Sequence, residues 1–426
     1  MKPKKLLPAK MLSGEITLPG DKSISHRAIM LGAIARGKTS VRGLLDCDDC
    51  RYTARAFKDM GLRVARKGGI TVIEGAGLRG LKRPRAPINV GNSGTSMRLL
   101  AGILAGQGFG AVLTGNEGLL RRPMKRIVDP LAMMGVNIAA GPDGLPPIKI
   151  NGAAMKAISY KMPVSSAQVK SAILFAGLYA SGTTTVNEKV KSRDHTERMM
   201  KYFGADVRTN GLAVSVSGGR ELAGREIEIP GDISSASFFI AGAVLLAGSK
   251  INIRKVSINP TRVGILNILS AMGARVKIVN KVDAFEPYAD IEVESGPING
   301  VEIGQRDIPG IIDELPVIFV LASLAKGRTV IKGAEELRVK ETDRIDSMMY
   351  NLGRMGANIS VDRGTIVIDG VERLRGAELK SYGDHRTVMS MAIAALTASG
   401  ASSIDDVECV SKSLPEFFEL LSKLRR

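Results

Sequence analysis

One piece of sequence occurs six times in this chain, and this repeat limits the possible folds more than any other feature. Each copy opens with a small polar cluster, continues with an apolar stretch rich in Ala and Gly, and closes on a Gly. The copies are residues 21–37, 92–108, 165–182, 232–248, 313–327 and 384–400, with closing glycines 66 to 79 residues apart. A repeat of this length indicates one supersecondary unit copied six times.

The polar openings predict the first turns of helices. Asp, Asn and Ser are preferred helix N-caps, and a helix N-terminus binds anions through its free backbone N–H groups. A second set of helical segments lies between the copies, and most of these end in Met-Gly or Phe-Gly followed by a strand-like pattern. One unit therefore reads as strand, helix, strand, helix, then one or two short strands.

The ends of the chain predict how the six units are divided. The last unit has no strand after its second helix, whereas the chain begins with a strand-like segment at 14–18 that has no helix before it. We therefore expect the N-terminal strand to complete the last repeat. The domains would then be 1–18 plus 229–426, with three repeats, and an inserted domain 19–228, also with three. A hinge is expected at about 18–20 and 228–231.

Composition narrows the class of partner. The 60 basic and 42 acidic residues give a net charge of +18, which suits anionic partners. Aromatic residues make up only 4% and there is no Trp, so platforms for stacking nucleic-acid bases are scarce. We expect small anionic substrates, no nucleic acid and no membrane. Three cysteines, an odd number, suggest a reducing compartment, and no signal peptide is recognisable at the start, so we expect a cytoplasmic location.

Basic and acidic side chains recur at the starts of the predicted helices. The same point of the repeat carries, in different copies, Lys, Arg, Ser, Gln, Asp, Glu or His, and any one of these could be a plain cap or surface charge. Because nearly every unit places such a group there, we favour a site that binds phosphate and carboxylate. His195 is expected to cap or pack, and the lone pair Cys47 and Cys50 to be ordinary thiols, with metal or redox use a minority alternative.

Six motifs in order resemble one known family. GDKSISHR, GNSGTSMR, RRP, SAQVKSA, RVKETDR and GDHR look like the 5-enolpyruvylshikimate-3-phosphate synthases, and the resemblance covers essentially the whole chain. It implies an α/β fold, a two-domain inside-out α/β barrel of six βαβαββ repeats with parallel helices. It also implies transfer of the enolpyruvyl group of phosphoenolpyruvate to the 5-hydroxyl of shikimate 3-phosphate, with release of phosphate, in the shikimate pathway. Neither a metal nor another cofactor is implied, and a monomer is expected.

The resemblance also implies roles for individual residues. The residues expected to bind shikimate 3-phosphate are Lys22, Ser23, Arg27, Ser166, Gln168, Arg193, Asp313 and Lys340. Those expected to bind phosphoenolpyruvate are Lys22, Gly94, Arg122, Gln168, Arg344, Arg386 and Lys412. The expected catalytic residues are Lys22, Asp313 and Glu341, with Asp313 as general base and Glu341 moving a proton at the methylene carbon.

The sequence leaves two alternative functions open, and several motifs indicate a subgroup of the family. The sister enzyme that acts on UDP-N-acetylglucosamine is disfavoured because its loop Cys is missing from GNEGLLRRP at 115–123, and a basic nucleic-acid-binding scaffold rests on the net charge alone. GDKS, RDHTE, SAQVK and NPTR resemble the subgroup often called class II, which is often less sensitive to glyphosate. Gly94 keeps room beside phosphoenolpyruvate, as in sensitive members, so we hypothesise intermediate sensitivity. A substrate contact at Glu336 is in doubt, and the copy that opens at Asp232 has no side chain to assign, which suggests a structural role.

Overall fold

The structure is a computed structural model that describes residues 3–426. It divides into two compact units. The terminal unit consists of the described residues up to Pro19 together with Pro230–Arg426, and the middle unit is Gly20–Ile229. A hinge where the chain passes between the two units stays a prediction.

The middle unit contains seven helices and twelve strands among the described residues. Its helices are α1 (Lys22–Ile34), α2 (Asp48–Asp59), α3 (Gly94–Ala105), α4 (Glu117–Leu120), α5 (Lys125–Met133), α6 (Ala167–Gly177) and α7 (His195–Tyr202). The terminal unit supplies the first two strands of the chain, β1 (Lys4–Leu6) and β2 (Ser13–Thr17). The strands of the middle unit follow as β3 (Arg36–Arg42), β4 (Arg63–Lys67), β5 (Ile70–Ala76), β6 (Ile88–Asn89), β7 (Gly110–Thr114), β8 (Asn137–Ala140), β9 (Ile148–Asn151), β10 (Ser159–Lys161), β11 (Thr183–Asn187), β12 (Val207–Asn210), β13 (Ala213–Ser217) and β14 (Glu226–Glu228).

The rest of the terminal unit repeats this pattern. Its helices are α8 (Ile233–Leu245), α9 (Gly264–Ala271), α10 (Ile308–Ile311), α11 (Leu315–Ser323), α12 (Arg344–Arg354), α13 (His385–Thr397) and α14 (Phe417–Leu424). Its further strands are β15 (Lys250–Ser257), β16 (Arg275–Val282), β17 (Tyr288–Glu294), β18 (Glu302–Ile303), β19 (Arg328–Ile331), β20 (Asn358–Asp362), β21 (Thr365–Asp369), β22 (Glu378–Leu379) and β23 (Ser402–Ile404). Short 3₁₀ turns lie at Pro142–Gly144, Glu335–Val339 and Glu408–Lys412.

The strands of residues 3–426 form six sheets with one common plan. In each, a short edge strand pairs in parallel with the strand that follows the first helix of the repeat, and that strand also pairs antiparallel with another. The orders are β14-β3-β5-β4, β6-β7-β9-β8, β10-β11-β13-β12, β2-β15-β17-β16, β18-β19-β21-β20 and β22-β23-β1. This plan is the βαβαββ repeat, so the predicted fold class is confirmed.

The N-terminal segment supplies strands to two different repeats. The strand expected at 14–18 is β2, and it pairs in parallel with β15 of the fourth repeat. The last sheet is completed instead by β1, which runs antiparallel to β23. The prediction that the strand at 14–18 completes the last repeat is therefore wrong. β1 is only three residues long, Lys-Lys-Leu, and is too short to show an alternating pattern.

The first helix of each repeat lies inside its unit, with the sheets outside. In α8 and α13, twelve of thirteen residues are buried, because these helices are apolar or small-residue on all sides. Within the terminal unit α8, α11 and α13 contact one another, and within the middle unit α3 contacts both α1 and α6. Gly102 allows the contact between α3 and α6, since a Cβ there would lie 2.1 Å from the Ala172 carbonyl oxygen.

The second helices pack against the first ones, and aromatic side chains secure the last of them. Phe417 of α14 packs against Phe238 and Phe239 of α8, with ring centroids 6.0 and 5.5 Å apart. Burying a phenylalanine contributes about 1.5–3 kcal/mol, so this cluster holds α14 although no strand follows it. Among residues 3–426, no helix is both long enough and apolar enough to cross a lipid bilayer.

Candidate active site

Five of the six first helices begin with a side-chain cap, and the exception marks the site. The capping side chains of α1, α3, α6, α8 and α13 belong to Asp21, Ser93, Ser166, Asp232 and Asp384. The fifth helix, α11, starts at Leu315 after Glu314, which makes no capping bond. Pro316 lies in its first turn, where a backbone N–H is dispensable. Asp313 lies one residue before this N-cap position.

Two arginines from neighbouring helices contact Asp313 instead. Arg344, the first residue of α12, lies with its Nη1 3.4 Å from Asp313 Oδ1. Arg386 in the first turn of α13 places its Nε 3.5 Å from the same oxygen and donates from Nη1 to the Asp313 carbonyl at 2.6 Å. The starts of α11, α12 and α13 therefore meet at one end of the terminal unit, as the parallel helices of the repeat require.

Arg344 is buried among carboxylates. Its Nε donates to Asp384 Oδ2 at 2.7 Å, and both side chains are almost fully inaccessible to solvent. Burial alone would lower the pKa of Arg344, but Asp384, Glu341 and Asp313 outweigh burial and raise the pKa above its ordinary value. A permanent positive charge is thus fixed at the starts of these helices, where an anion gains from both the guanidinium and the helix N-termini.

Glu341 has a histidine partner. Its Oε2 lies 2.9 Å from Nδ1 of His385, the first residue of α13, and the histidine is buried. Glu341 itself is partly accessible, since its side chain keeps 16% of its exposure. A carboxylate that is oriented by a buried ring and still reaches solvent can take up and release a proton.

Two lysines complete the terminal-unit group. Lys340 lies 3.3 Å from Glu336 Oε1, and burial lowers the pKa of the Lys340 ammonium, while Glu336 and Asp313 partly offset this effect. Glu336 therefore pairs with Lys340. Lys412 donates to the carbonyl of Gly383 at 2.8 Å, just before α13.

In the middle unit, Lys22 is held by an aspartate from the neighbouring helix. Lys22 Nζ lies 2.9 Å from Oδ2 of Asp49, and both side chains keep a little exposure, 17% and 11%. Lys22 begins α1 and Asp49 lies in the first turn of α2, so the starts of these helices also meet. The lysine is fixed by the pair but not sealed from a ligand.

A second contact group in the middle unit surrounds the start of α3. The Gln168 side chain accepts from Arg98 Nη1 at 2.7 Å and donates to Thr95 Oγ1 at 2.9 Å. A Cβ at Gly94 would lie 2.6 Å from Arg98 Nη1 and 3.3 Å from Arg122 Nη1. Gly94 therefore leaves room for two guanidinium groups at the first turn of α3.

Arg27 is buried, and its guanidinium donates hydrogen bonds to other residues of the middle unit. Its Nε donates to Thr196 Oγ1 at 2.6 Å, its Nη2 to Ser171 Oγ at 2.8 Å, and its Nη1 to the Ser23 carbonyl at 2.9 Å. Arg27 thereby ties α1 to α6 and α7. These hydrogen bonds also fix the positions of its neighbours.

The loop that precedes α7 carries Arg193, and a buried lysine and a buried glutamate hold this loop in place. Lys170 of α6 is fully buried and donates to Glu188 Oε2 at 2.8 Å and to the Ser192 carbonyl at 3.3 Å. Ser192 in turn donates from its backbone N to Glu188 at 3.2 Å and from its hydroxyl to the same carboxylate. Arg193, half-buried, follows directly, and Ser166 at the start of α6 caps that helix.

Three side chains join the site that were not assigned a role from the sequence. Asp49, Arg98 and His385 contact Lys22, Gln168 and Glu341, respectively. Asp49 and His385 lie in the first turns of α2 and α13, and Arg98 lies one turn into α3, so the repeat indicates their general position. Their partners lie far away in the sequence, and a linear motif does not give the distance between the two members of a pair.

One group in the terminal unit has the donor set of a metal site. Ligand atoms of Glu341, Asp384 and His385 lie within 4.8 Å of one another. Asp384, however, accepts from Arg344 and from the backbone N of Arg386. Since these donors already engage the carboxylate, we assign no metal to this group.

Helix starts that gather arginines, lysines and carboxylates on a βαβαββ repeat are typical of an enzyme that binds small anions. A model of the family EPSP synthase (3-phosphoshikimate 1-carboxyvinyltransferase) matches residues 7–421. The chain belongs to this family.

Named relatives cover the chain from end to end. It is 51% identical over 417 residues to the 3-phosphoshikimate 1-carboxyvinyltransferase of Geotalea daltonii, which covers 97% of both chains. It is also 51% identical over 419 residues to that of Geobacter sulfurreducens, covering 98% of both. The solved EPSP synthase of Acinetobacter baumannii is 44% identical with a TM-score of 0.89, covering 100% of this chain and 98% of the other.

Proposed function

We propose that this chain transfers the enolpyruvyl group of phosphoenolpyruvate to the 5-hydroxyl of shikimate 3-phosphate and releases phosphate. Family membership supports the reaction. The observation that carries the residue roles is the position of Asp313. It lies one residue before the N-cap of α11 and contacts Arg344 and Arg386. A carboxylate placed among fixed cations is suited to accept a proton next to an anionic substrate.

The roles divide between the two units. For shikimate 3-phosphate we propose Lys22, Ser23, Arg27, Ser166, Gln168 and Arg193 of the middle unit, and Asp313 and Lys340 of the terminal unit. For phosphoenolpyruvate we propose Lys22, Gly94, Arg122 and Gln168 of the middle unit, and Arg344, Arg386 and Lys412 of the terminal unit. The contact groups around Lys22, Gln168 and Asp313 support these roles, because each presents cations or donors at helix starts.

The reaction needs two proton transfers in the addition step and two in the elimination step. Asp313 takes the proton from the 5-hydroxyl as that oxygen bonds to C2 of phosphoenolpyruvate, while Glu341, assisted by Lys22, delivers a proton to the methylene carbon. The resulting tetrahedral intermediate still carries the phosphate. Elimination then breaks the C2–phosphate oxygen bond as Glu341 removes a proton from the methyl group, and Asp313 gives its proton to the departing phosphate. Charge stabilisation by Arg344, Arg386 and Lys22 serves both steps.

Phosphate release with defined acceptors tests this function. The purified protein is mixed with phosphoenolpyruvate and either shikimate 3-phosphate or UDP-N-acetylglucosamine, and free phosphate is measured. We expect release with shikimate 3-phosphate only. Release with the nucleotide sugar alone would support the sister activity, and no release with either acceptor would overturn the proposal.

The oligomeric state and the cellular location of the protein are also proposals. We propose that the protein is a monomer and that it works in the cytoplasm. The three cysteines are free and buried, in keeping with a reducing compartment. Sedimentation of the purified protein tests the monomer.

A further inference from the structure

The polar side chains that open the fourth repeat have no proposed contact with substrate, yet they are buried. Asp232 caps α8, and Ser234 follows in the first turn. Arg262, two residues before α9 begins, has a side chain that is almost completely inaccessible to solvent. A guanidinium buried to this degree costs free energy unless carboxylates and acceptors surround it.

Arg262 is surrounded by residues of two repeats. Its Nη2 lies 3.4 Å from Asp232 Oδ1 and 3.6 Å from Glu314 Oε1, and it also donates to the Ser234 hydroxyl. That hydroxyl donates in turn to Glu314 Oε1. The Glu314 side chain is completely buried. The fourth repeat thus holds a glutamate that belongs to the fifth.

Glu314 is the residue next to Asp313, so the backbone at this point is held from both sides. On one side Arg262 and Ser234 hold the Glu314 carboxylate. On the other side Arg386 donates to the Asp313 carbonyl at 2.6 Å. Because adjacent residues share a peptide plane, displacing Glu314 must displace Asp313 as well.

Close backbone packing strengthens the same link. The segment before Asp313 lies against the first residue of α9, Gly264. A Cβ on Gly264 would lie 2.5 Å from Ile311 Cγ2 and 3.0 Å from the Gly310 carbonyl oxygen. The helix that begins just after Arg262 therefore touches the segment that leads into Asp313.

We propose that Arg262, together with Asp232 and Ser234, is a positioning group that sets the place of Asp313 through Glu314. This role rests on the proposed function of Asp313 as the base. It gives the fourth repeat a part in the reaction without any contact with substrate. A misplacement of reacting groups by about 1 Å can cost about 10²-fold in rate, so the effect on turnover is large.

The substitution Arg262→Gln tests the proposal. It leaves the Glu314 carboxylate buried without its guanidinium, so the segment that carries Asp313 shifts. We expect kcat to fall by about 30-fold or more, within the range for misplaced groups. The dissociation constant of shikimate 3-phosphate, measured by equilibrium binding, should change by less than about threefold, because most of its proposed ligands lie elsewhere.

A second variant separates positioning from general damage. In Arg262→Gln with Glu314→Gln, the unpaired carboxylate is gone, and we expect at least about fivefold of the lost kcat to return, since the cost of a broken buried pair lies mostly in the remaining charge. Arg254→Gln is the matched control, because Arg254 pairs with Asp290 at 3.1 Å on the partly exposed strand β15. Its kcat should equal that of the unaltered protein.

Three results would overturn the positioning role. They are a kcat of Arg262→Gln within threefold of the unaltered protein, a loss of kcat and of shikimate 3-phosphate binding in equal measure, or a double variant no faster than the single one. Phosphate release by the unaltered protein is measured first, so that failure of the proposed reaction is recognised separately. Thermal unfolding of each variant confirms that folded protein is compared.

Discussion

Asp313 and Asp384 occupy the same point of successive repeats but have different contacts. Asp384 accepts from the backbone N of Arg386 at 2.8 Å, and so caps α13. Asp313 lies one residue before the N-cap of α11, and its carboxylate lies 3.4 to 3.5 Å from two arginines. A capping carboxylate is already engaged by backbone donors, whereas one held by longer contacts can rearrange toward an incoming hydroxyl.

We predict that Asp313→Asn lowers kcat by about 10²- to 10⁴-fold, the usual contribution of a general base. The amide keeps the size of the side chain, so the dissociation constant of shikimate 3-phosphate should change by much less. Steady-state phosphate release and equilibrium binding measure the two quantities.

Asp307→Asn is the control for this substitution. Asp307 lies at the start of α10 in the same segment, and its carboxylate accepts from the exposed backbone N of Gly304 at 3.0 Å. Turnover of this variant should stay close to that of the unaltered protein. If Asp313→Asn also kept its turnover within a few-fold, Asp313 could not be the base.

At this scale the sequence indicates residues but not their partners. Lys22 and Glu341 stand out in motifs, whereas Asp49 and His385 gain their meaning only from contacts with these two residues. Those contacts join residues 27 and 44 positions apart. Lys22 and Asp49 lie on α1 and α2, whereas Glu341 lies in the turn before α12 and contacts the first residue of α13. The distance between two helix starts depends on how the helices pack, and a linear motif carries no record of it.

Among the elements, the most strongly charged buried contact of the middle unit joins α6, α7 and the loop that follows β11. Lys170 lies 2.8 Å from Glu188 and 2.7 Å from Glu197, so two carboxylates share one ammonium. Burial raises the pKa of Glu197, and Lys170 offsets this only in part. Burial would lower the pKa of Lys170, but Glu197 and Glu188 outweigh it and raise the pKa.

Because two carboxylates share one buried ammonium, we predict that the stability of the folded protein depends on pH. Since the pKa of Glu197 is raised in the folded state, folded protein binds the proton more tightly than unfolded protein. Stability contributed by this group therefore falls as pH rises from the ordinary glutamate value of 4.5 through the raised value. Glu197→Gln should remove this fall and increase the free energy of unfolding at pH 7 more than at pH 4, as measured by urea unfolding.

Glu188→Gln is the matched comparison. Glu188 also accepts from Ser192, so its loss should lower stability and loosen the loop that carries Arg193. We expect weaker binding of shikimate 3-phosphate by this variant. Equal changes in stability from the two glutamine substitutions would contradict the difference between the carboxylates.

Elements differ in how well they can be predicted. The first helices are recognisable because each is rich in apolar and small residues and follows a polar cluster. The edge strands β6, β18 and β22 have two residues each, and β1 has three, so no periodicity can reveal them. Their positions are set by neighbouring strands that lie far away in the chain.

For the whole molecule, the net charge of +18 has a kinetic consequence. A positive protein attracts anionic substrates over distances that salt screens, since the Debye length falls from about 30 Å at 0.01 M to about 10 Å at 0.1 M. We predict that kcat/KM for phosphoenolpyruvate falls by about 10-fold between 0.02 and 0.5 M salt, a typical size for electrostatic steering. The value of kcat should change less.

Two salts distinguish screening from specific ion binding. Sodium chloride and tetramethylammonium chloride should give the same dependence on ionic strength, because screening depends on charge and concentration alone. A kcat/KM that does not respond to ionic strength, or responds to only one cation, would contradict a role for the net charge.

The interrupted terminal unit also has a consequence for the order in which the chain folds during synthesis. β2 must wait for β15, which is made more than two hundred residues later, and Leu12 donates to Ser249 across 237 positions. The middle unit needs no such wait, because β14 closes the sheet of β3 as soon as residue 228 is free of the ribosome. The segment around β2 is then an unpaired strand throughout the synthesis of the middle unit, and a nascent-chain chaperone would find it exposed there.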